Sequence, residues 1–189
     1  MLRKDKGSFY LKNKWTKTKW LLSDRRLRRF VPETKRFTRS SLADMTNRYN
    51  TVYFKPTYGT GGNGIARITR TRRKTFRFKI NEITAETSSV ESLFRKLKKI
   101  AHGRSYILQK GIRLQTSNGS PFDLRSMVQK TVRGKWIPTA LFVKIGNPNK
   151  VVTNYHQGGK LALVEPTLRS AGYDKTQIQR YLRDLKTLA

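Results

Sequence analysis

Lys55 stands a few residues ahead of four glycines, Gly59, Gly61, Gly62 and Gly64, in the stretch VYFKPTYGTGGNGI. A lysine and a run of glycines are the parts of a phosphate cradle: glycine lets backbone N–H groups turn toward an anion, and an ammonium neutralises it. The order is not that of a Walker loop, in which the lysine follows the last glycine and leads into a helix. Nor is it a dinucleotide fingerprint, whose glycines open a helix. Strand-like residues stand on both sides of these glycines, so the stretch reads as a glycine-rich hairpin. It is either a flap that folds over phosphates or a plain surface turn.

Asp123 and Arg125 lie two apart in PFDLRSMVQK, and on a strand they share one face. They form either an ion pair internal to a sheet or an acid and a base facing a nucleotide cleft. The chain has no cysteine, which removes thiolate metal sites and disulfides. His102 and His156 are far apart, and neither zinc spacing nor a nucleophilic triad is present. His102, near a helix end, fits a partner for the helix dipole, and His156 lies in the polar turn TNYHQGG.

The elements that must position these residues are legible in outline. Apolar spacing predicts a helix over 14–28, stopped by Pro32, then an extended connector VPETKRF. Ser40 or Ser41 caps a second helix carrying Leu42, Met45 and Tyr49. Strands are predicted at 51–55, 65–70 and 75–81, the last pair joined by TRRK. The clearest helix is 88–101, capped by Ser88 or Ser89. Further strands follow at 105–110, 122–130, 135–145 and 150–154, then a turn at Gly158 and Gly159. A last helix begins at Asp174. The order implies an α+β fold: a helical lead-in at about 10–50, a small subdomain over 51–104 holding the glycine hairpin, and a larger antiparallel subdomain with a C-terminal helix over 105–189.

The 189 residues, 36% of them hydrophobic, suffice for one substantial domain. Their charge is unusual, with 42 Lys and Arg against 11 Asp and Glu, a formal +31. Such a field concentrates nucleotides, nucleic acid or an acidic polymer near the surface. The cations run along the whole chain, so they serve either a polyanion partner or a solvated surface. The stretch RITRTRRKTFRFK, with aromatics between cations, is the composition of a nucleic-acid surface. No apolar run approaches the roughly 20 residues of a membrane span, and MLRKDKGSFYLKNKW lacks the apolar stretch of a signal peptide. A soluble, cytoplasmic protein without a membrane span is expected.

Six ordered blocks, NKWTKTKWLL, VPETKRF, TVYFKPTYGTGGNGIARI, YILQKGI, PFDLRSMVQK and VVTNYHQGGKL, together resemble the YheC/YheD endospore coat-associated family of the ATP-grasp superfamily. The resemblance spans roughly residues 10 to 170. It implies an ATP-grasp fold with ATP held between two α+β subdomains and the glycine hairpin closing over the phosphates. Lys55 matches the family's nucleotide-binding lysine, and Lys14 looks like the lysine that reaches phosphate from the other side. Gln109, Lys110, Gly111 and Ile112 match the hinge, whose backbone is expected to read the adenine edge. Asp123 and Arg125 match the acidic and basic pair of the next strand, and Asn154 the polar residue before the double glycine.

In related enzymes the implied chemistry is ATP-dependent joining of a carboxylate to an amine through an acyl phosphate, with magnesium bridging the phosphates. The sequence given ends before the acidic strand pair and Glu-x-Asn motif with which the family closes, so a truncated ATP-grasp unit without evident magnesium ligands is expected. Nucleotide binding is the expected activity, with ligase activity placed in doubt. The alternative is a polyanion-binding or structural protein whose partner is an acidic polymer, a nucleic acid or a spore coat component.

Overall fold

The computed structural model of the chain describes residues 13–148, 151 and 158–188. Of the strand expected at 150–154 only Val151 is described, as a bend; Asn154 and His156 lie outside the described residues. The first helix, α1 (Lys14–Ser23), is capped by Asn13, whose side-chain oxygen accepts the Thr16 N–H at 3.0 Å. It ends five residues before the predicted boundary. Asp24 accounts for this: its carboxylate accepts the N–H groups of Arg26 and Leu27, giving the backbone a turn in place of another helical repeat. A single 3-10 turn at Arg28–Phe30 follows.

The connector after Pro32 contains a short strand, β1 (Thr34–Arg36). Helix α2 (Arg39–Arg48) is capped by Thr38 rather than Ser40 or Ser41, with Ser41 closing a reciprocal capping box. A meander follows: β2 (Thr51–Pro56), β3 (Ala66–Arg70), β4 (Phe76–Ile80) and β5 (Ile83–Thr87). Sequence patterning missed β5, an outer strand whose sole buried residue is Thr87, so burial imposes no alternation on it. Helix α3 (Val90–Ala101) is capped by Ser89 and ends at His102 in the left-handed region. Strand β6 (Tyr106–Lys110) returns through the middle of the sheet.

The first sheet has the order β1-β6-β2-β3-β4-β5, with every neighbouring pair antiparallel. Strands β1 and β6, from either side of the 51–104 span, complete its sheet. Alternation on β2 sends Val52, Phe54 and Pro56 to one face and Tyr53 and Lys55 to the other. The first face buries Leu42 and Met45 of α2 and Leu93 and Leu97 of α3 against Phe54, Ile68 and Leu108. Phe54 stacks on Tyr106 at 4.0 Å and meets Phe37 edge-on at 4.8 Å. The other face is the polar one, and it holds the candidate site.

A second sheet, β10-β9-β8-β7, is built from β7 (Thr116–Ser117), β8 (Ser120–Lys130), β9 (Trp136–Ile145) and β10 (Lys160–Ala162). Helices α4 (Val164–Ser170) and α5 (Lys175–Leu188) close a small core of Phe122, Val143, Val164, Leu168 and Ile178. Helix α4 was not predicted from the sequence. Pro166 sits in the first turn, where N–H groups have no helical partner to lose. Asp174 caps α5, accepting the Gln177 N–H at 2.8 Å. Among the described residues no helix is long and apolar enough to cross a membrane.

Candidate functional site

Lys55 projects from the polar face of the first sheet, where its Nζ donates to Gln109 Oε1 at 2.6 Å. Gln109 Nε2 donates to Thr34 Oγ1 at 3.0 Å, and Thr34 in turn donates to the Pro32 carbonyl at 2.8 Å. This relay crosses three neighbouring strands, since Thr34, Gln109 and Tyr53 are in register on β1, β6 and β2. An ammonium can only donate, so the relay fixes which end of the Gln109 amide faces Lys55. Burial, with the nearby charge of Lys14 second, lowers the Lys55 pKa from 10.5 to about 8.

Lys14, the first residue of α1, reaches the same place from the opposite side. Its Nζ donates to the carbonyls of Pro56 at 2.9 Å and Gly59 at 2.8 Å, and its N–H to the Thr57 carbonyl at 2.8 Å. Burial first, then Lys17, lowers its pKa. Lys14, Lys17 and Lys55 line a cavity of about 390 Å³ with Gly59, Thr60, Gly61, Gly62 and Asn63 of the hairpin, and Ile107 and Gln109 of β6. Among the described residues no carboxylate contributes to this lining. Two half-buried amines and a glycine-rich backbone therefore surround one space, an arrangement that suits a strongly anionic ligand.

The glycines are required by geometry. Gly64 has φ of +71°, and a Cβ there would come within 3.0 Å of the Tyr106 hydroxyl, which is buried without a hydrogen-bond partner among the described residues. At Gly111 the reason is close approach: a Cβ would stand 2.7 Å from Thr51 Cγ2 and 3.0 Å from the Thr51 carbonyl, which accepts the Gly111 N–H at 2.8 Å.

The hinge residues divide between two places. Gln109 faces the lysine cavity, whereas Lys110, Gly111 and Ile112 line a second cavity of about 680 Å³ with Tyr53, Arg67 and Arg113. Its far wall includes Pro121 and Asn147 of the second sheet's side, and its lining also lacks a carboxylate. The Lys110 side chain lies on the helix-covered face, its Nζ 5.0 Å from the centre of the Tyr49 ring. Arg48 and the Tyr49 hydroxyl both donate to Glu33; these hydrogen bonds, Tyr49 first, hold the Glu33 carboxyl below the usual carboxylate range.

Asp123 and Arg125 share a face of β8, paired across to Lys144 and Phe142, and line neither cavity. The structure thus gathers Lys14, Lys55, the hairpin glycines and Gln109, sets Lys110, Gly111 and Ile112 beside them, and leaves Asp123 and Arg125 apart. Thr34, Lys17, Tyr53 and Arg67 were missed. Lys17 follows Lys14 by three on a helix and Tyr53 precedes Lys55 by two on a strand, so both carried a signal. Thr34 and Arg67 carried none, because only cross-strand register brings them in.

Among the described residues no group of three His, Asp or Glu side chains is placed to hold a metal ion. The cationic linings suit an anion such as a triphosphate and do not fit magnesium, which takes hard oxygen ligands.

The model of the YheC/D-like ATP-grasp family matches residues 7–189. The endospore coat-associated protein YheD of Bacillus subtilis (strain 168) is 31% identical over 152 residues, covering 78% of this chain and 34% of that protein. The endospore coat-associated protein YheC of the same organism is 24% identical over 157 residues, covering 81% of this chain and 43% of that protein. The chain therefore spans well under half the length of either relative. A lysine cavity under a glycine hairpin, beside a two-sheet α+β frame and with a family match over nearly every residue, makes this chain a member of the YheC/D-like ATP-grasp family.

Proposed function

We propose that the chain binds ATP on the polar face of its first sheet, with the triphosphate between Lys14, Lys55 and the hairpin. The observation that carries this reading is the convergence of two partly desolvated lysines on one carboxylate-free, glycine-lined cavity. Burial first, and a neighbouring lysine second, lowers both pKa values and costs stability, and a bound polyanion reverses that cost. The purine is assigned to the hinge. There the Lys110 and Gly111 N–H groups already serve the Glu33 and Thr51 carbonyls, so the Ile112 N–H is the donor assigned to the base edge.

In this reading Lys55 meets the phosphates as an ammonium below pH 8 and must take up a proton to do so above it, Gln109 holds that ammonium in place, and the hairpin excludes water by folding over the ligand. Magnesium, where it accompanies ATP, neutralises phosphate charge; no transfer step is assigned to the described residues. Association with the endospore coat, stated of the two relatives by their names, is carried to this chain as a proposal.

Calorimetric titration with ATP, with and without magnesium, tests the reading. Binding to the wild type that weakens by at least about tenfold in Lys55→Met supports it, as expected for loss of a charge-assisted hydrogen bond. Absence of heat in both conditions, or an unchanged affinity in the variant, overturns it.

A further inference from the structure

The segment from α1 through the 3-10 turn does not behave as a core element. Of α1, only Thr18 is buried. Trp20 is 55% exposed and Phe30 57%, with Leu21 and Leu22 at 43% each. Around them stand exposed Lys19, Arg25, Arg26, Arg28 and Arg29. Asp24, the one acid between residues 14 and 30, is already paired with Arg26 at 3.1 Å.

Successive residues of a helix lie about 100° apart. Trp20, Leu21, Leu22, Lys17 and Lys19 therefore spread around α1 without separating into an apolar and a basic side. A lipid surface selects for such separation, so this is not the pattern of a membrane-lying helix. Cations mixed with exposed aromatic rings are what a single-stranded nucleic acid uses: the backbone meets the charges and unpaired bases stack on the rings.

A second, independent feature adjoins the same segment. Arg29 and Phe30 form one rim of a cavity of about 510 Å³, mostly apolar, whose other walls include Tyr173 and Tyr181. These tyrosines meet edge-on at 5.3 Å, and the Arg29 guanidinium lies 4.7 Å from the centre of the Phe30 ring. Among the described residues Asp184 is the single carboxylate on the lining. No residue of this lining belongs to the lysine cavity or the hinge cavity. An aromatic-walled slot with a guanidinium at its mouth accepts a flat heterocycle whose phosphate stays outside.

We infer that the 19–30 segment and this cavity bind single-stranded nucleic acid, with bases stacking on Trp20 and Phe30 and one base entering the cavity toward Tyr181. The site is separate from the ATP site and stands whether or not ATP binds.

Fluorescence anisotropy of the full chain with a labelled oligothymidylate of about 15 nucleotides, a length that covers one binding site of this kind, tests the inference. Trp20→Ala and Phe30→Ala are each expected to weaken binding about tenfold, the loss of one stacked base. Trp20→Phe, which keeps a ring, is expected to restore most of it. Replacing Arg28 and Arg29 together by Ala is expected to lower the slope of log affinity against log salt by about 1.4, two phosphate contacts on a single strand. ATP titration of the same variants should be unchanged, which separates this site from the other. The inference is overturned if the alanine variants bind like the wild type, if a duplex of the same length binds equally tightly, or if polyglutamate of matched charge competes equally well.

Discussion

The two sheets of this molecule are finished to different degrees. The first is closed on one face by α2 and α3 over a core that includes Leu42, Phe54, Leu93 and Leu108, all with no exposure, and its other face is free to be polar. The second has a core of five buried residues at one end, while Trp136 to Ala140 are exposed along the other. Of the two partly desolvated amines, Lys55 is carried by the finished sheet and Lys14 by α1 beside it. A desolvated lysine is unfavourable, and only a surround with stability to spare holds two of them in place. The second sheet supplies walls to the hinge cavity, a lighter task that a partly covered hairpin can perform.

The comparison is broken most directly at Phe54. Phe54→Ala empties the centre of the first core and should cost about 3–5 kcal/mol in urea denaturation, with loss of ATP binding. Lys55→Met tests the other side of the same sheet. With its pKa lowered from 10.5 to about 8, Lys55 binds its proton more weakly in the folded chain. The resulting destabilisation is fully present below pH 8 and disappears as pH rises toward 10.5; at 1.36 kcal/mol per unit it is about 3 kcal/mol. The variant should therefore be more stable than the wild type at pH 7 and lack the gain that the wild type shows above pH 8. ATP affinity of the wild type should fall above pH 8 by at most about tenfold per pH unit, because binding then requires proton uptake.

In the second sheet, Val143→Ala should cost about 2 kcal/mol. If that sheet is the less finished one, amide exchange should show the loss in β8 and β9 while the lysine cavity keeps its ATP affinity. The smallest expected effect concerns two hairpin turns built to one plan, one in each sheet. Thr71 bonds to Thr75 as Thr131 bonds to Lys135, and each turn has a left-handed fourth residue, Lys74 at φ 61° and Gly134 at φ 79°. Lys74→Gly should stabilise by about 1 kcal/mol, since a side chain in that region costs 1–2 kcal/mol. An unchanged melting temperature would show that the first sheet does not carry strain at this turn.

Much of the frame was legible because it obeys period rules. Phe76, Phe78 and Ile80 alternate with Arg77 and Lys79, and Val90, Leu93, Leu97 and Ile100 recur at helical spacing, since both elements face one core. What escaped was set by local competition or by partners distant in sequence. Asp24 shortened α1 through its own side chain, β5 had no burial to pattern it, and the seven-residue α4 is too short to show a helical period. At the site, Lys14, Lys55 and Gln109 came from family-like blocks, and their convergence is now visible as hydrogen bonds around one cavity. The separation of Asp123 and Arg125 from that cavity was not legible, because strand spacing tells which residues share a face and not what the face looks upon.

The paired N–H groups of Lys110 and Gly111 have a mechanical meaning. Lys110 is pinned to Glu33 and Gly111 to Thr51, on opposite flanks of β6, whereas the next anchor noted along the chain is the Gln115 carbonyl, which accepts the Phe122 N–H. Any swing of one sheet relative to the other therefore falls on the torsions of residues 112–114, which places the pivot one residue beyond the glycine and makes the hinge a short joint between two anchored ends.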